Sequence, residues 1–407
     1  MEKKRFHYAW VVCGSLMFLL FCNMGMSNAA FPSHFPFMRQ SYGLTNAQCS
    51  TLSMVRNFTS LVCMLFVDRY LKLFHIKKGI LIANALVVVS FVIYGLAPDY
   101  ATCLAAAVIS GTGYSFGGLI AASALLNRWF KTGRRFAIGL CSAGTGMASV
   151  ILPPLNAALT GLFSLPVNFF IEAAIIAFAG ILGVLLLRED PERAGMMPLD
   201  HVAGAKEEET YAAGTGREQN ARRSAIVLAC IACGMMGFAI YGSYPALELH
   251  LVSQGFEVVR AASYISVFGL MLTIGKIVYG YIADRFGALR ITVFCYTLNF
   301  TGMLLVCLAG TAYGGVICLF AVFIWGFGNA ISTVLQPTLA GELATDAEYT
   351  RIAKNIQVFY TAGSVAIGPL PGWIADTFGS YIPSYILLAF IMFCSMCLTC
   401  LSLHRGK

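Results

Sequence analysis

Long apolar runs recur along the whole chain, and a single polar stretch interrupts them. Each run has about as many residues as an α-helix needs to cross the hydrocarbon core of a bilayer, roughly 20, or more. We number the predicted helices α1 to α12, over residues 9–31, 46–67, 79–97, 101–126, 136–159, 165–187, 224–247, 261–283, 289–309, 313–340, 352–375 and 381–403. The pattern predicts an all-α membrane protein in which twelve transmembrane helices form two groups of six.

The polar stretch lies between the two groups. Residues 188–223 read REDPERAGMMPLDHVAGAKEEETYAAGTGREQNARR and show no apolar periodicity. A segment of this composition cannot bury enough apolar surface to fold by itself. We therefore predict an N-terminal six-helix bundle over residues 1–187, a mobile cytoplasmic linker over 188–223 and a C-terminal six-helix bundle over 224–407.

Charged residues are scarce and unevenly placed. Only 11% of the residues are charged and 58% are hydrophobic, whereas about 25% of a soluble domain is charged. The net charge of +8 does not indicate a nucleic-acid partner, because Lys and Arg collect in alternate loops. The positive-inside rule then predicts a multi-pass protein of the cell (cytoplasmic) membrane, with both termini in the cytoplasm and no need for a cleavable signal peptide. We expect it to be a monomer in the membrane lipid.

The sequence lacks the motifs of other protein classes. It has no nucleotide-binding motif and no grouping of a nucleophile with a base. Nearly all of the 14 cysteines fall inside predicted helices, without metal-ligand spacing. The sequence therefore predicts neither an enzyme nor an ATP-driven pump, and no metal or other cofactor.

The two halves contain an internal repeat. Asp68-Arg69 follows α2 and Asp284-Arg285 follows α8, at an offset of 216 residues (284 minus 68). The same offset matches Arg135 with Arg351, Pro153 with Pro369 and His34 with His250. These matches need no gap, which indicates that the halves are parallel copies of one six-helix unit.

Two segments resemble known transporter families. Residues 280–290, GYIADRFGALR, are similar to the G-x-x-x-D-R-x-G-x-x-R loop of the major facilitator superfamily, and the copy after α2 keeps only Asp68-Arg69. Residues 128–144, RWFKTGRRFAIGLCSAG, resemble the entry into the fifth helix of monocarboxylate transporters and oxalate:formate antiporters. The resemblance implies the major facilitator fold and secondary active transport of a small organic anion, a mono- or dicarboxylate, by alternating access.

The same resemblance singles out Lys276. In those relatives an arginine nine residues before the loop arginine binds the substrate carboxylate, and Lys276 stands nine residues before Arg285. Other positions depart from the relatives, because Leu272, Ser33 and Gly363 stand where they carry an aspartate and two lysines. The proton-coupling scheme of the relatives therefore does not carry over, and a co-transported proton and an exchanged anion both stay open.

Two cations lie deep inside predicted helices. Lys276 precedes Asp284 by eight residues, about 12 Å of helix. Arg56 precedes Asp68 by twelve residues, about 18 Å. A cation at the centre of a membrane helix costs about 2.5–3.5 kcal/mol on insertion scales, so it usually faces a cavity or a partner. The 216-residue offset puts both cations on one face of the repeat, which we predict to line the central axis of the transporter.

We interpret these cations as a site for a carboxylate substrate. A guanidinium can bind a carboxylate through two parallel hydrogen bonds, and an ammonium acts as a point charge. Further candidate contacts are Tyr114, Tyr241, Tyr244, Asn329 and Tyr360. In the alternative, Arg56 and Lys276 bond backbone carbonyls or pair with Glu172 or Glu248. The protein is then an exporter of drugs or apolar solutes, or a transporter-like membrane sensor.

Other charged residues are candidates for gating and proton coupling. We predict that loop charges lock one side of the transporter, and these residues are Asp68, Arg69, Arg134, Arg135, Asp284 and Arg285. His34 and His250 end α1 and α7 at equivalent positions and, with Glu248, are candidate proton-linked groups. The alternative for both histidines is a place at the membrane interface, near the lipid headgroups.

Overall fold

The computed structural model describes residues 7–44, 46–192, 196–199, 216–345, 348–368 and 370–405 of the chain. The chain folds into two compact units, Met1–Ala205 and Lys206–Lys407. Most of the described residues are helical, and the isolated β-bridge found among them joins Phe130 to Leu199. The all-α prediction is confirmed, as expected where backbone groups must satisfy one another inside lipid.

The first unit contains the six predicted helices of the N-terminal half. Their bounds are Tyr8–Leu20 with the π-helical stretch Phe21–Ala29 for α1, Asn46–Met64 for α2, Ile76–Leu96 for α3, Tyr100–Phe116 and Leu119–Trp129 for α4, Arg134–Leu162 for α5 and Leu165–Leu186 for α6. Short helices over Phe31–His34, Phe35–Tyr42 and Val67–Phe74 connect them. α4 is interrupted at Gly117, where a Cβ would lie 2.6 Å from the amide nitrogen of Asn23 on α1.

The second unit contains the other six. Their bounds are Gly216–Ser243 for α7, Val258–Phe286 for α8, Ala288–Val306 for α9, Gly314–Gly328 and Ile331–Leu343 for α10, Tyr349–Ala366 for α11 and Ile382–Arg405 for α12. Short helices over Leu247–Ser253 and Leu370–Phe378 follow α7 and α11. α7 begins at Gly216, before the apolar run that starts at residue 224. Arg222 holds this end of the helix in place by donating to the Leu343 carbonyl at 2.8 Å and to Glu348 at 2.6 Å.

Ten helical stretches of the described chain are long and apolar enough to cross a membrane. The two predicted helices outside this group, α2 and α11, are present but carry polar and charged side chains, among them Arg56 and Lys354. Such helices are tolerated at membrane depth when their polar face meets protein or water instead of lipid. Both helices therefore agree with the predicted twelve-helix architecture.

A close helix contact recurs in the two units. A Cβ on Gly111 of α4 would lie 2.4 Å from the backbone oxygen of Arg56 on α2. A Cβ on Gly275 of α8 would lie 2.5 Å from the backbone oxygen of Phe327 on α10. The 216-residue offset matches Gly111 with Phe327 and α2 with α8. Backbone contact between corresponding helices therefore occurs in both units, α2 with α4 and α8 with α10. The glycine lies on α4 in the first unit and on α8 in the second.

The beginning of the predicted linker is bound to the first unit. The indole nitrogen of Trp129 donates to the carbonyl of Arg188 at 2.8 Å, and Arg128 donates to Asp190 at 2.7 Å. The amide of Leu199 donates to the Trp129 carbonyl at 2.8 Å. Side chains at the end of α4 thus supply hydrogen bonds to residues 188–192 and 196–199 that this segment cannot make by itself, and the mobile linker stays a prediction.

Candidate functional site

Arg56 lies on α2 with its guanidinium enclosed by neutral polar groups, and only 4% of the residue is exposed. Nη1 donates to the backbone carbonyl of Ser27 in the π-helical stretch of α1, a type of turn that is frequent at functional sites. Nη2 donates to the side-chain oxygens of Asn28 at 2.6 Å and Asn57 at 2.9 Å. These three acceptors are neutral. The carbonyl contact is the one expected from the alternative interpretation of Arg56.

Tyr114 of α4 lies beside this cluster. Its ring centroid is 5.9 Å from Cζ of Arg56, within the range of a cation–π contact. Its hydroxyl also accepts a hydrogen bond from the amide nitrogen of Asn28 at 3.4 Å. The structure therefore brings together two of the predicted site residues. Sequence reasoning missed Asn28 and Asn57, although an amide inside a membrane helix is a signal because it is costly there without a partner.

Lys276 lies in the middle of α8, in the second unit, and is 2% exposed. The adjacent Gly275 touches the backbone of Phe327, so α10 packs against this turn. One turn further on, the hydroxyls of Tyr279 and Thr292 share a 2.6 Å hydrogen bond that joins α8 to α9. Lys276 thus places a cationic side chain inside the helical packing of the second unit.

The aromatic candidates of the second unit form two groups. The rings of Tyr241 on α7 and Tyr360 on α11 lie 6.2 Å apart, edge to face. Tyr244 instead stacks on Phe268 of α8, with centroids 4.6 Å apart. The structure therefore brings Tyr241 and Tyr360 together, whereas Tyr244 belongs to a separate aromatic contact.

Asn329 lies at the break in α10 and is held in a polar network. Its side-chain oxygen accepts a hydrogen bond from Asn299 of α9 at 3.3 Å. The oxygen of Asn299 in turn accepts from the indole nitrogen of Trp325 at 3.1 Å. All three residues are buried. This network joins α9 to α10, so Asn329 has a packing role whether or not it contacts a substrate.

The predicted gating residues lie at helix ends. Asp68 is in the first turn of the helix Val67–Phe74, and Arg134 and Arg135 begin α5. Arg285, in the last turn of α8, donates to the hydroxyl of Tyr281 at 2.9 Å. Gating by these residues, and by Arg69 and Asp284, stays a prediction.

A loop ion pair that the sequence did not reveal joins α7 to the start of α11. Glu348 contacts Arg222 at 2.6 Å and Arg351 at 3.0 Å. The hydrogen bond from Arg222 holds the pKa of the Glu348 carboxyl below its ordinary value. The pair therefore fixes the N-terminal end of α7 in the second unit.

His34 is fully buried inside the first unit. Its Nε2 is 2.9 Å from Oε2 of Glu172 on α6, a residue that is itself only 2% exposed. The amide nitrogen of Asn156 on α5 lies 3.2 Å from the same ring nitrogen. Glu172 was considered only as a partner of the two cations, but the fold pairs it with the histidine.

His250 is also fully buried, but its partner differs. Its Nε2 lies 3.1 Å from the backbone carbonyl of Val306 on α9, so this nitrogen carries a hydrogen and donates. The ring of Tyr385 lies 5.0 Å away. The side chain of Glu248, the third candidate proton-linked group, lies outside the described residues.

Comparison with known proteins places the chain among transporters. A family model described as the Major Facilitator Superfamily matches residues 16–366. Monocarboxylate transporter 12 of Rattus norvegicus is 21% identical over 313 residues, which are 71% of this chain and 63% of that relative's length. Agnestins efflux protein AgnL12 of Paecilomyces divaricatus is 24% identical over 382 residues, covering 91% of this chain and 81% of that protein. A crystal structure of the transporter FucP in the outward conformation shares the fold, with a TM-score of 0.72, 16% identity and 98% of each chain covered.

Proposed function

Since the chain belongs to the Major Facilitator Superfamily, a family of transporters and not of enzymes, we propose that it carries a small organic carboxylate across the cell membrane by alternating access. One observation carries this proposal. Each unit buries a cation inside a helix, Arg56 on α2 and Lys276 on α8. Burying such a charge costs several kcal/mol, which an anionic substrate offsets. The name of the mammalian relative supports the same class of substrate.

Binding at Arg56 proceeds by exchange of hydrogen-bond acceptors. The amide oxygens of Asn28 and Asn57 accept from Nη2 in the structure. A carboxylate is a stronger acceptor for a guanidinium than an amide oxygen, because it carries a full negative charge and can accept two parallel hydrogen bonds. The substrate therefore displaces the amide oxygens, and the Tyr114 hydroxyl beside them supplies a further polar contact. In the second unit, Lys276 offers a compact positive charge that adapts to anions of different shape.

Counterflow in proteoliposomes tests the proposal. Vesicles loaded with unlabelled lactate, pyruvate, oxalate or succinate receive the same labelled acid outside, at equal pH, and protein-free vesicles report the leak. We expect trans-stimulated uptake of at least one acid. Arg56→Gln and Lys276→Gln should each lose about tenfold or more, as is typical when a buried charged hydrogen bond is removed. The control is Lys77→Gln, at an exposed lysine that donates to the Val184 carbonyl. Absence of counterflow for all four acids, or wild-type rates in both variants, would refute the proposal.

A second candidate function is export of apolar solutes. It is favoured by the contacts of Arg56 with the Ser27 carbonyl and two amides, which a purely structural guanidinium would also make. A fungal relative named as an efflux protein belongs to this class. Under this function Arg56→Gln lowers the Tm of the protein, and none of the four acids is exchanged. Binding of an acid without trans-stimulated flux would instead indicate a sensor.

A further inference from the structure

An open cavity lies at the end of the second unit where α8 begins, between the segment that enters this helix and the loop that joins α9 to α10. Its volume is about 640 Å³. The residues that line it include Gln254, Glu257, Arg260, Gly310, Tyr313 and Val316. Arg285 lies in the last turn of α8, so the cavity is at the opposite end of that helix. None of the residues proposed to bind the substrate lines it.

The cavity contains an arginine that forms no ion pair and no hydrogen bond among the described residues. Cζ of Arg260 lies 5.6 Å from the ring centroid of Phe256 and 6.0 Å from that of Tyr264, so two aromatic rings orient the guanidinium. Its Nη2 lies against the first turn of α10, since a Cβ on Gly315 would be 2.8 Å from it. α10 begins at Gly314, and the N-terminus of a helix itself attracts anions. The arginine and this helix end therefore favour an anionic group at one place.

A carboxylate borders the same cavity without pairing with the arginine. Glu257 is the N-cap residue of α8, three positions before Arg260, and its side chain makes no capping hydrogen bond. The residue is exposed, and its carboxylate has no ion pair or hydrogen bond with any described residue. The cavity therefore presents one positive and one negative side chain that leave each other free. This arrangement matches a ligand that itself carries both an anionic and a cationic group.

The cavity adjoins large apolar side chains that are exposed along two helices. These are Leu304 and Leu308 on α9 and Val316 and Phe320 on α10. The two residues on each helix are four positions apart, so they lie on one face of that helix. Val316 lines the cavity, and Leu308 precedes the lining residue Ala309. In a membrane protein such exposed apolar faces meet lipid tails, so the cavity opens beside the acyl chains of the bilayer.

Tyr313 indicates the level of the cavity in the membrane. The residue is 76% exposed in the loop between α9 and α10, and it lines the cavity. Exposed tyrosines of membrane proteins are enriched at the membrane–water interface, where their rings sit among the headgroups. The charged residues of the cavity are therefore at headgroup level, and the apolar faces of α9 and α10 run from there into the bilayer. A water-soluble ligand would use only the charged part of this surface, whereas a lipid would use both parts.

We propose that this cavity binds a phospholipid whose headgroup joins a phosphate to a primary ammonium, as in phosphatidylethanolamine. The phosphate binds the Arg260 guanidinium, which can donate two parallel hydrogen bonds to it. The ammonium group, with three N–H donors, donates to the Glu257 carboxylate. An acyl chain lies along the exposed apolar residues of α9 and α10. The site is separate from the proposed substrate site, and it does not depend on which solute the protein carries.

Native mass spectrometry of the full chain in detergent tests the site. The protein is titrated with palmitoyl-oleoyl phosphatidylethanolamine (POPE) and, separately, with the corresponding phosphatidylglycerol (POPG), whose headgroup has the phosphate but no ammonium. We expect the wild type to bind its first POPE more tightly than its first POPG. Arg260→Gln should weaken the binding of both lipids about tenfold or more, because the hydrogen bonds from a charged donor to the phosphate are lost.

Glu257→Gln separates the two halves of the headgroup. This variant should weaken the binding of POPE and leave that of POPG unchanged or tighter, because only the partner of the ammonium is removed. The matched control is Arg290→Gln, at an exposed arginine in the first turn of α9, and it should bind POPE as the wild type does. Both tested side chains belong to exposed residues, so we expect the Tm values of the variants in lipid-free detergent to equal that of the wild type.

Three outcomes would overturn the lipid site. Wild-type affinity for POPE in Arg260→Gln would show that the phosphate does not bind there. A loss in Arg290→Gln as large as that in Arg260→Gln would show that lipids are attracted to basic residues in general. The soluble headgroup O-phosphoethanolamine should bind about a hundredfold more weakly than POPE, because it buries no acyl chain. Equal affinities for the headgroup and for POPE would show that the cavity takes a soluble zwitterion instead of a lipid.

Discussion

The contact between α4 and α2 beneath Arg56 leaves no room for a methyl group, so Gly111→Ala should disturb both stability and transport. The new Cβ would lie 2.4 Å from the Arg56 backbone oxygen and 3.1 Å from Cβ of Thr59. Because ordinary contacts begin near 3.4 Å, the two helices must separate locally by about 1 Å. Overpacking of this kind costs about 1–3 kcal/mol. The better helix propensity of alanine returns about 0.5–1 kcal/mol, which leaves a net loss of about 0–2.5 kcal/mol. A clash with a backbone atom as close as 2.4 Å belongs in the upper half of that range.

The same displacement should affect function more than stability. The bond from Arg56 to Asn28 is 2.6 Å long, and a shift of about 1 Å takes it beyond hydrogen-bonding range. We expect Tm in detergent to fall by about 2–8 °C and counterflow to fall by up to about a hundredfold. Gly161→Ala is the control, since no atom lies within 4 Å of its added Cβ, and its Tm should stay or rise slightly. Wild-type counterflow in Gly111→Ala would refute the link between this helix contact and the Arg56 cluster.

Three further predictions concern the Arg56 cluster, the linker and the loop ion pair. Asn57→Asp places a fixed carboxylate against the Arg56 guanidinium, which the Asn57 amide oxygen contacts at 2.9 Å. This carboxylate should compete with the substrate, so counterflow should fall about tenfold while the Tm stays unchanged. Counterflow equal to that of the wild type would contradict the prediction. Trp129→Phe removes the indole N–H that donates to the Arg188 carbonyl in the linker. Loss of one hydrogen bond, about 1 kcal/mol, should let a protease cut residues 188–192 about fivefold faster. An unchanged cleavage rate would argue against docking of the linker on the end of α4. Arg222→Gln should lower Tm at pH 7, because Arg222 lowers the pKa of the Glu348 carboxyl in the folded state. That contribution is present above the ordinary pKa of 4.5 and is lost as the carboxylate takes up a proton at lower pH, so a Tm difference independent of pH would refute it.

The lengths of the apolar runs predicted the twelve long helices, because a membrane helix must be long and largely apolar whatever it packs against. They did not predict the short connecting helices or the breaks in α4 and α10, and the arrangement of the helices was implied by the repeat and by the family resemblance. The linker shows the limit of that reasoning. Its first part is held by the buried Trp129 and by Arg128, and both residues belong to the end of another helix. A composition that cannot fold alone can still dock, and docking depends on tertiary contacts that local sequence does not encode.

The candidate site was predicted in part. A buried cation is conspicuous in an apolar run, so Arg56 and Lys276 were identified directly. Their neighbours were harder to identify, because Asn28 and Asn57 become acceptors only when α1 and α2 lie side by side. The pairing of Glu172 with a histidine was missed for the same reason, since the two residues are 138 positions apart (172 minus 34).

The repeat separates residues that serve packing from residues that serve chemistry. Both units keep a glycine against the backbone of a neighbouring helix, and both keep a buried histidine beneath an aromatic ring. Since both copies fold with them, these shared features satisfy the requirements of the six-helix unit. Three buried charged residues stand at positions where the copies differ, with Arg56 against Leu272, Lys276 against Ser60 and Glu172 against Leu388. In each case the other unit folds with a small or apolar residue at the matching position, so the six-helix unit as such does not prescribe the charge. We therefore propose that the two cations are present for the carboxylate of the substrate.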